Sequence, residues 1–354
     1  MFVSINRTIY GRDSNMDNRQ QKRVTLRHLA SVCNLSVSTV SQILNNRDTY
    51  STEKTKELVR RTAHELGYRP NIGYKLMHGI STKTAAIVLS YSDMMASEYI
   101  QKITLSLIDR LNEKGYFTDT VKMPDEWPKR KQAIERVMER GAEFMVALWK
   151  PCEWEDLKRI AQTIPVAVMG GRNAIDGIGM VDIDVVHGVT RILEHFRESG
   201  CRNIRMISDI NDPDRMTAFS RFMGIPQDQL GPFIIPLPND GRLHHNERVP
   251  ENAVKLGYQL TRELLKRDPD TDAIFYFTDY YALGGAKYLL ETGRVIGKDI
   301  RIAGYNNTTA VRCCPYPISS VGQNEEETVD LLLEFENGKK PCRILQKPEI
   351  FIRN

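Results

Sequence analysis

Val24-Thr-Leu-Arg-His-Leu-Ala-Ser-Val-Cys-Asn-Leu-Ser-Val-Ser-Thr-Val-Ser-Gln-Ile-Leu-Asn45 reads as two short helices joined by a tight polar turn. Thr25 and Ser36 each stand one residue ahead of an apolar-periodic run, where a hydroxyl accepts the free N–H groups of a helix start. After Thr25 the apolar residues are Leu26, Leu29, Ala30 and Cys33, a stripe that packs inward and leaves Arg27, His28 and Ser31 outside. After Ser36, Val40, Ile43 and Leu44 form the buried side, while Val37, Ser38, Ser41 and Gln42 face outward. This is the layout of a helix-turn-helix, whose second helix fits the major groove of DNA and reaches base edges with its first turns. Gln42 suits a bidentate contact to adenine and Ser38 a contact to several bases. Val37 has two open readings, a thymine-methyl contact or packing between helices.

Ser51 to Gly67 adds a third amphipathic helix with the stripe Leu58, Val59, Thr62, Ala63 and Leu66 and a glycine at its end. In Tyr68-Arg-Pro-Asn71 that follows, Pro70 biases Arg69 away from helix, and Asn71 can cap a short helix running to about Gly79. Charge is divided unevenly: residues 1–83 hold 14 Lys and Arg against 6 Asp and Glu, net +8, which leaves −4 for the rest of the chain. A small basic module binds phosphate through counterion release.

The segments Val24-Thr-Leu-Arg-His-Leu-Ala, Leu-Ser-Val-Ser-Thr-Val-Ser and Glu-Leu-Gly-Tyr-Arg-Pro-Asn71 resemble the headpiece of the lactose-repressor (LacI/GalR) family of bacterial transcription regulators. The resemblance implies a dimer that reads a pseudo-palindromic operator, with Asn71 to Gly79 as a hinge that folds on the correct DNA. Met77 stands where the family places an inserted leucine and can serve as an apolar wedge, and Tyr74 stands where the family has alanine. The candidate DNA contacts are Thr25, Ser36, Val37, Ser38, Thr39, Ser41, Gln42 and Asn45, with Asn71, Lys75 and Met77 in the hinge.

Beyond residue 83, strand-like runs (85–90, 144–149, 165–169, 204–208, 273–277 and 300–304) alternate with amphipathic stretches such as 100–114 and 252–267. That alternation predicts βαβ units with parallel sheets, whose ligands bind beyond the carboxyl ends of the strands. The resemblance sharpens this to a two-lobed α/β core similar to periplasmic sugar-binding proteins. It implies a cleft between the lobes and chain crossings near 180–184, 305–308 and 320–323. The expected organisation is a disordered leader (1–23), with Met16 as an alternative start, an all-α headpiece (24–70), a hinge helix and linker (71–83) and the two-lobed effector and dimerisation domain (84–354).

Several core segments carry the resemblance. Val181-Asp-Ile-Asp-Val-Val-His-Gly188 is similar to the lobe crossing, and Ser199-Gly-Cys-Arg-Asn-Ile-Arg205 to a strand start, with Cys201 replacing histidine. Arg215-Met-Thr-Ala-Phe219 resembles the segment whose arginine contacts the effector, which makes Arg215 the first effector candidate; its planar fork suits hydroxyls, carboxylates or phosphates, and a surface salt bridge is the alternative. Thr278-Asp-Tyr-Tyr-Ala-Leu-Gly284 resembles the family's segment with Asp279 kept and Thr278 replacing asparagine; Asp279 either meets the ligand or caps a helix. In Gly304-Tyr-Asn-Asn307, Asn306 replaces the acid that usually receives effector hydroxyls. Tyr99 and Trp149, near strand ends, either stack on a ligand or pack in the core.

Six scattered cysteines (33, 152, 201, 313, 314 and 342) without a C-x-x-C are read as buried thiols of a reducing compartment. No signal peptide or long apolar span is visible, so the expected location is the bacterial cytoplasm, associated with the nucleoid. There is no phosphate-cradling glycine loop, nucleophile elbow or His-Glu-x-x-His pair, and His244-His245 reads as part of a solvated loop. The function expected is therefore a DNA-binding repressor, not an enzyme, without cofactor or metal, whose partners are operator DNA, a second copy and a small polar effector such as a sugar or sugar derivative. The competing expectation is a ligand-independent regulator with a degenerate cleft, on the strength of Asn306, Thr278 and Ala218. No heptad run closes the chain, which favours a dimer over a coiled-coil tetramer.

Overall fold

Leu29, Val40, Ile43 and Val59 are almost fully excluded from water and hold three helices together: α1 (Leu26–Cys33), α2 (Val37–Leu44) and α3 (Glu53–Glu65). A fourth, short helix, α4 (Ile72–Met77), follows. The computed structural model describes residues 24–45, 50–69, 72–77, 79–90, 97–124, 126–149, 153–238 and 250–353. These fall into two compact units, 1–80 and 81–354. The leader, Asn71, Cys152 and His244-His245 lie outside the described residues, as do the side chains of Tyr74 and Met77.

The larger unit contains two six-stranded sheets. The first takes β1 (Thr84–Ser90), β2 (Phe117–Met123), β3 (Ala142–Leu148), β4 (Val166–Met169), β5 (Gly179–Ile183) and β11 (Arg343–Gln346), in the order β11-β5-β4-β3-β1-β2, all parallel. Helices α5 (Glu98–Glu113), α6 (Trp127–Glu139) and α7 (Trp154–Ala161) connect its strands. The second takes β6 (Ile204–Ser208), β7 (Ile234–Pro236), β8 (Ala273–Tyr276), β9 (Arg301–Tyr305), β10 (Ile318–Gly322) and β12 (Glu349–Phe351), in the order β12-β10-β9-β8-β6-β7. Only β12 runs antiparallel there. Its helices are α8 (Val185–Glu198), α9 (Pro213–Met223), α10 (Pro250–Arg267), α11 (Asp279–Glu291) and α12 (Thr309–Arg312).

Because helices cover both faces, the inner strands are apolar without interruption: every residue of Val166-Ala-Val-Met169 is buried. The two-residue period of a strand still sorts the side chains, with Ile87 and Leu89 on one face of β1 and Ala86 and Val88 on the other. On the second sheet, α10 and α11 touch backbone to backbone. A Cβ at Gly284 would lie 2.0 Å from the Val254 carbonyl oxygen, so only glycine fits.

The chain passes from the first lobe to the second after β5, where α8 packs into the second core through Val189, Ile192 and Phe196. It returns after β10, since α13 (Glu325–Glu334) buries Val329, Leu332 and Leu333 in the first core. The third crossing lies between β11 and β12, within residues 346–349, and not at 305–308 as expected. Residues 305–308 stay in the second lobe because β9 and β10 pair directly and Val311 of the intervening α12 is fully buried in that lobe's core. No described helix is long and apolar enough to cross a membrane.

Candidate nucleic-acid interface and ligand cleft

In the smaller unit the Thr25 hydroxyl accepts from His28 N at 3.2 Å and opens α1. Asn34 then adopts φ 52°, and the bonds Leu35 N to Ala30 O and Asn34 N to Ser31 O close the helix end, leaving a tight turn. Ser36 accepts from Thr39 N at 3.0 Å and shares a 2.8 Å hydrogen bond with the Thr39 hydroxyl, which opens α2. Helix α2 turns Val37 (41 % exposed), Ser38 and Gln42 to solvent, while Ser41 is half-buried. Val37 stands outside the buried cluster that joins the three helices.

The remaining candidates are structural as well as polar. Thr25, Ser36 and Thr39 are engaged in caps, and Asn45 turns its amide back to the Ser41 carbonyl oxygen at 2.8 Å. Helix α4 closes at Gly79 (φ 60°), where Ile80 N reaches the Lys75 carbonyl oxygen at 2.8 Å, and Lys75 is half-buried. Leu58, placed in the inward stripe of α3 by its spacing, is 39 % exposed because the stripe runs past the edge of the small core. Tyr50, which the sequence reading did not single out, stands 96 % exposed just before α3.

In the larger unit the carboxyl edges of the two sheets meet. Arg172, on the loop after β4, reaches from the first lobe to Asp212 (3.6 Å) and Asp214 (3.5 Å) at the start of α9 in the second. Glu98, the first residue of α5, accepts from Thr309 N at 2.8 Å and pairs with Arg312 at 3.6 Å, a second bridge between lobes. Between these bridges Arg215 is 8 % exposed. One guanidinium N–H group bonds Asp212 at 2.5 Å, another the Phe277 carbonyl oxygen at 3.3 Å, and the plane lies 4.3 and 4.6 Å from the Phe277 and Tyr305 ring centres. Burial acts to raise the Asp212 carboxyl, but Arg215, the Arg215 backbone N–H and Arg172 outweigh it and hold that group below the usual carboxylate range.

Polar atoms around Arg215 are left over. Arg215 Nε and Ser208 Oγ are buried with no protein partner, and Thr308 Oγ1 is buried beside the Asp279 carboxylate. Tyr305 OH and Gln323 Oε1 are buried side by side without a hydrogen bond of normal geometry. All sit at or just beyond the carboxyl ends of β6, β9 and β10, where an α/β sheet holds its ligand. Native interiors satisfy such groups with protein atoms or ordered water.

The other candidates separate. Trp149, at the end of β3, has φ 63° and is 46 % exposed, and a Cβ on Gly170 would sit 2.8 Å from its ring; the glycine makes room for an outward aromatic surface. Asn306 has φ 95° and its N–H bonds the Val321 carbonyl oxygen at 2.7 Å, so a strained loop holds it at the cleft. Tyr99 is not a stacking surface: it is 6 % exposed inside the first core with its hydroxyl 2.8 Å from Thr328. Asp279 is fully buried and does not cap its own helix: its two oxygens accept from Ser320 Oγ and Thr308 N, each at 2.6 Å. Burial pushes its carboxyl up to about 6 against the pull of those bonds and of Arg353. Arg172, Ser208, Asp212 and Tyr305 were missed, and the Gly170-Gly171 pair after an apolar run was the available signal for a ligand-side loop. The cysteines are also more varied than expected: Cys33 and Cys201 are buried, while Cys313 and Cys342 are exposed.

Two comparisons bear on this architecture. Residues 25–71 match the family described as bacterial regulatory proteins, lacI family, and residues 193–335 match a periplasmic binding protein-like domain. The chain thus carries a LacI-family helix-turn-helix domain and a periplasmic binding protein-like domain. With these two domains it is a helix-turn-helix, DNA-binding transcriptional regulator. It is 25 % identical over 350 residues to the HTH-type transcriptional regulator CelR of Thermobifida fusca, covering 94 % of this chain and 98 % of that one. The solved complex of CelR with cellobiose superposes with a TM-score of 0.61 at 23 % identity, over 94 % and 99 % of the two chains. The lac repressor dimer bound to operator and the anti-inducer ONPF superposes with a TM-score of 0.74 at 18 % identity, over 94 % and 98 %.

Proposed function

We propose that this chain is a regulator of the LacI family, a homodimeric repressor that binds a pseudo-palindromic operator and is gated by a small polar effector, of the sugar class, held between its lobes. The carrying observation is the cluster of buried polar groups at the carboxyl ends of the second sheet, where Arg215 Nε and Ser208 Oγ have no protein partner. Solved relatives support the reading, one carrying cellobiose and another a dimer on its operator. In this reading residues 24–70 are the headpiece, 71–83 the hinge and 84–354 the effector and dimerisation domain. Ser38 and Gln42 read bases, Val37 meets a thymine methyl, and the capping hydroxyls of Thr25, Ser36 and Thr39 lie near phosphates, with Ser41, Asn45, Asn71, Lys75 and Met77 as further contacts. Arg215 and Asn306 take the effector and Trp149 stacks on it. An effector changes operator occupancy only by binding the DNA-competent and DNA-incompetent states differently.

The test is thermal unfolding of the whole chain against monosaccharides, disaccharides, sugar phosphates, sugar acids and purines, repeated with Arg215→Ala. A ligand at about 100 times its dissociation constant adds roughly 2.7 kcal/mol of stability. A selective shift that disappears in the variant is the expected result. Silence across the panel would favour a second reading, a regulator whose cleft no longer takes a ligand. That reading draws on Asn306 in place of an acid and on lobes already bridged by Arg172 and Glu98.

A further inference from the structure

Gln346 is the last residue of β11, where the third crossing begins, and it is 3 % exposed. Its main-chain oxygen accepts from Asp184 N at 2.8 Å, at the first crossing. Its side-chain nitrogen donates to the Asn324 carbonyl oxygen at 3.1 Å, at the second crossing, and to Glu327 Oε2 at 2.7 Å. Its side-chain oxygen accepts from the Thr328 hydroxyl at 2.6 Å, and the Tyr99 hydroxyl lies 2.8 Å from that same Thr328 oxygen. Turning the amide over would set its oxygen against two acceptors, so the network fixes its orientation. One buried residue thus touches all three strands that join the lobes, and Tyr99 anchors the set to the first core. On the far side of the crossings the packing is apolar and equally close. A Cβ at Gly188 of α8 would lie 2.7 Å from Val321 of β10 and 2.8 Å from Pro348, which is buried just ahead of β12. Between the polar set and the apolar set lie only the first turn of α8, Gly322-Gln323 and the exposed Lys347.

We infer that Gln346 pins the three crossings into one block that moves with the first lobe, so that a change in the angle between the lobes is taken up at those few residues and not within either lobe. The inference goes beyond the reading of the cleft as an effector site and holds whether or not a ligand enters it. A crossing strand without such ties can twist by itself. Three strands tied at one residue turn together, because moving one of them breaks buried hydrogen bonds of the other two, and a buried donor or acceptor is costly to leave unpaired. Gln346 is in this sense a positioning residue, acting through Asp184, Asn324 and Thr328. The side-chain bond from Asn324 Nδ2 to Glu349 Oε1, at 3.2 Å, straps the second crossing to the end of the third and works in the same direction.

Amide hydrogen exchange of the full-length chain tests this with two variants, Gln346→Met, which keeps the volume and removes the amide, and Tyr99→Phe, which removes only the outermost hydroxyl. In Gln346→Met, residues 183–188, 322–328 and 345–350 should exchange faster together, by about tenfold or more, while the inner strands β3 and β8 keep the wild-type rate. The first of these segments is the informative one, because its bond to Gln346 is made by the main chain and survives the substitution. A result that leaves 183–188 or 322–328 at the wild-type rate would overturn the inference, since Gln346 would then hold only its own strand. A uniform rise over the whole larger unit would overturn it as well, by showing a general loss of stability. If Gln346→Met does not fold, Tyr99→Phe decides: the same three segments should respond by a smaller factor, and unchanged exchange there would overturn the inference. Silence in the ligand panel bears on the effector reading alone and leaves this outcome untouched.

Discussion

Asp279 shows how far a residue's role depends on what folds around it. Its oxygens are both occupied, by Ser320 and by the Thr308 N–H, and Ser320 in turn accepts from Asn307 N at 3.0 Å. Arg353 completes the set by donating to the Asn307 side-chain oxygen at 2.7 Å. This network holds Asn306 and Asn307 at φ 95° and 43°, a conformation that asparagine tolerates better than most residues. The ionised form of Asp279 carries a burial cost, and its folded-state value of about 6 lies above the ordinary 3.8. The proton is thus held more tightly in the folded state, so this group's contribution to stability is fully present below the ordinary value and is lost as pH rises through about 6. Asp279→Asn removes that dependence. The stability of wild type relative to the variant should be greater at pH 5 than at pH 7 by about 1 kcal/mol, measured by denaturant unfolding at both values. A difference independent of pH would mean that Asp279 does not titrate in this range.

At the level of elements, the headpiece rests on termini. Helices α1 and α2 have eight residues each, too short to persist alone, so caps and a shared core must supply their stability. Ser36 closes the N-terminus of the reading helix, and Ser36→Ala should lower headpiece stability by about 1 kcal/mol with little change in the core. Helical signal on thermal unfolding of residues 24–80 within the intact chain is the measurement, and an unchanged headpiece transition would remove the cap from the account. In the larger unit the contact of α10 with α11 depends on missing side chains, not on added ones. A methyl at Gly284 would run into the Val254 carbonyl oxygen, 2.0 Å away, and backbone cannot step aside as a flexible side chain does.

Across the molecule, charge and function are partitioned together. The net +8 of residues 1–83 accompanies the helix-turn-helix unit, and the −4 of the remainder accompanies the periplasmic binding protein-like unit. Affinity for a DNA site selected from a random library should fall by about a thousandfold or more between roughly 50 and 200 mM salt if six or more phosphates are contacted. Gln42→Ala should relax base preference at one position while leaving that salt slope unchanged, because an amide on a base edge releases no counterions. A slope that fell with Gln42→Ala would assign the residue to the phosphate backbone.

Much of this was legible along the chain. Helix starts at Thr25 and Ser36, the alternating apolar runs and the glycine-closed end of α3 are local signals, produced by a few neighbouring residues and by spacing alone. The outward face of α2 could be drawn for the same reason, since a helix of known phase sorts its own residues. The cleft could not. Tyr99 and Trp149 look alike as aromatics near strand ends, yet one is sealed under Thr328 of a helix that returns more than two hundred residues later, and the other stands in space left by Gly170. The third crossing was misplaced because the pairing of β11 with β5, which brings the chain back to the first sheet, joins strands far apart in the sequence.

By itself the sequence determined which segments are helix or strand, which end of the chain carries the positive charge and which side chains a reading helix turns outward. Each follows from interactions within one turn or one strand. Only the tertiary structure decided that Arg172 and Asp212 meet across two lobes, that Asp279 is buried under a loop it holds, and which buried polar atoms remain open. Those outcomes depend on contacts between residues far apart in the chain, where packing and desolvation, not local spacing, settle which partners are found.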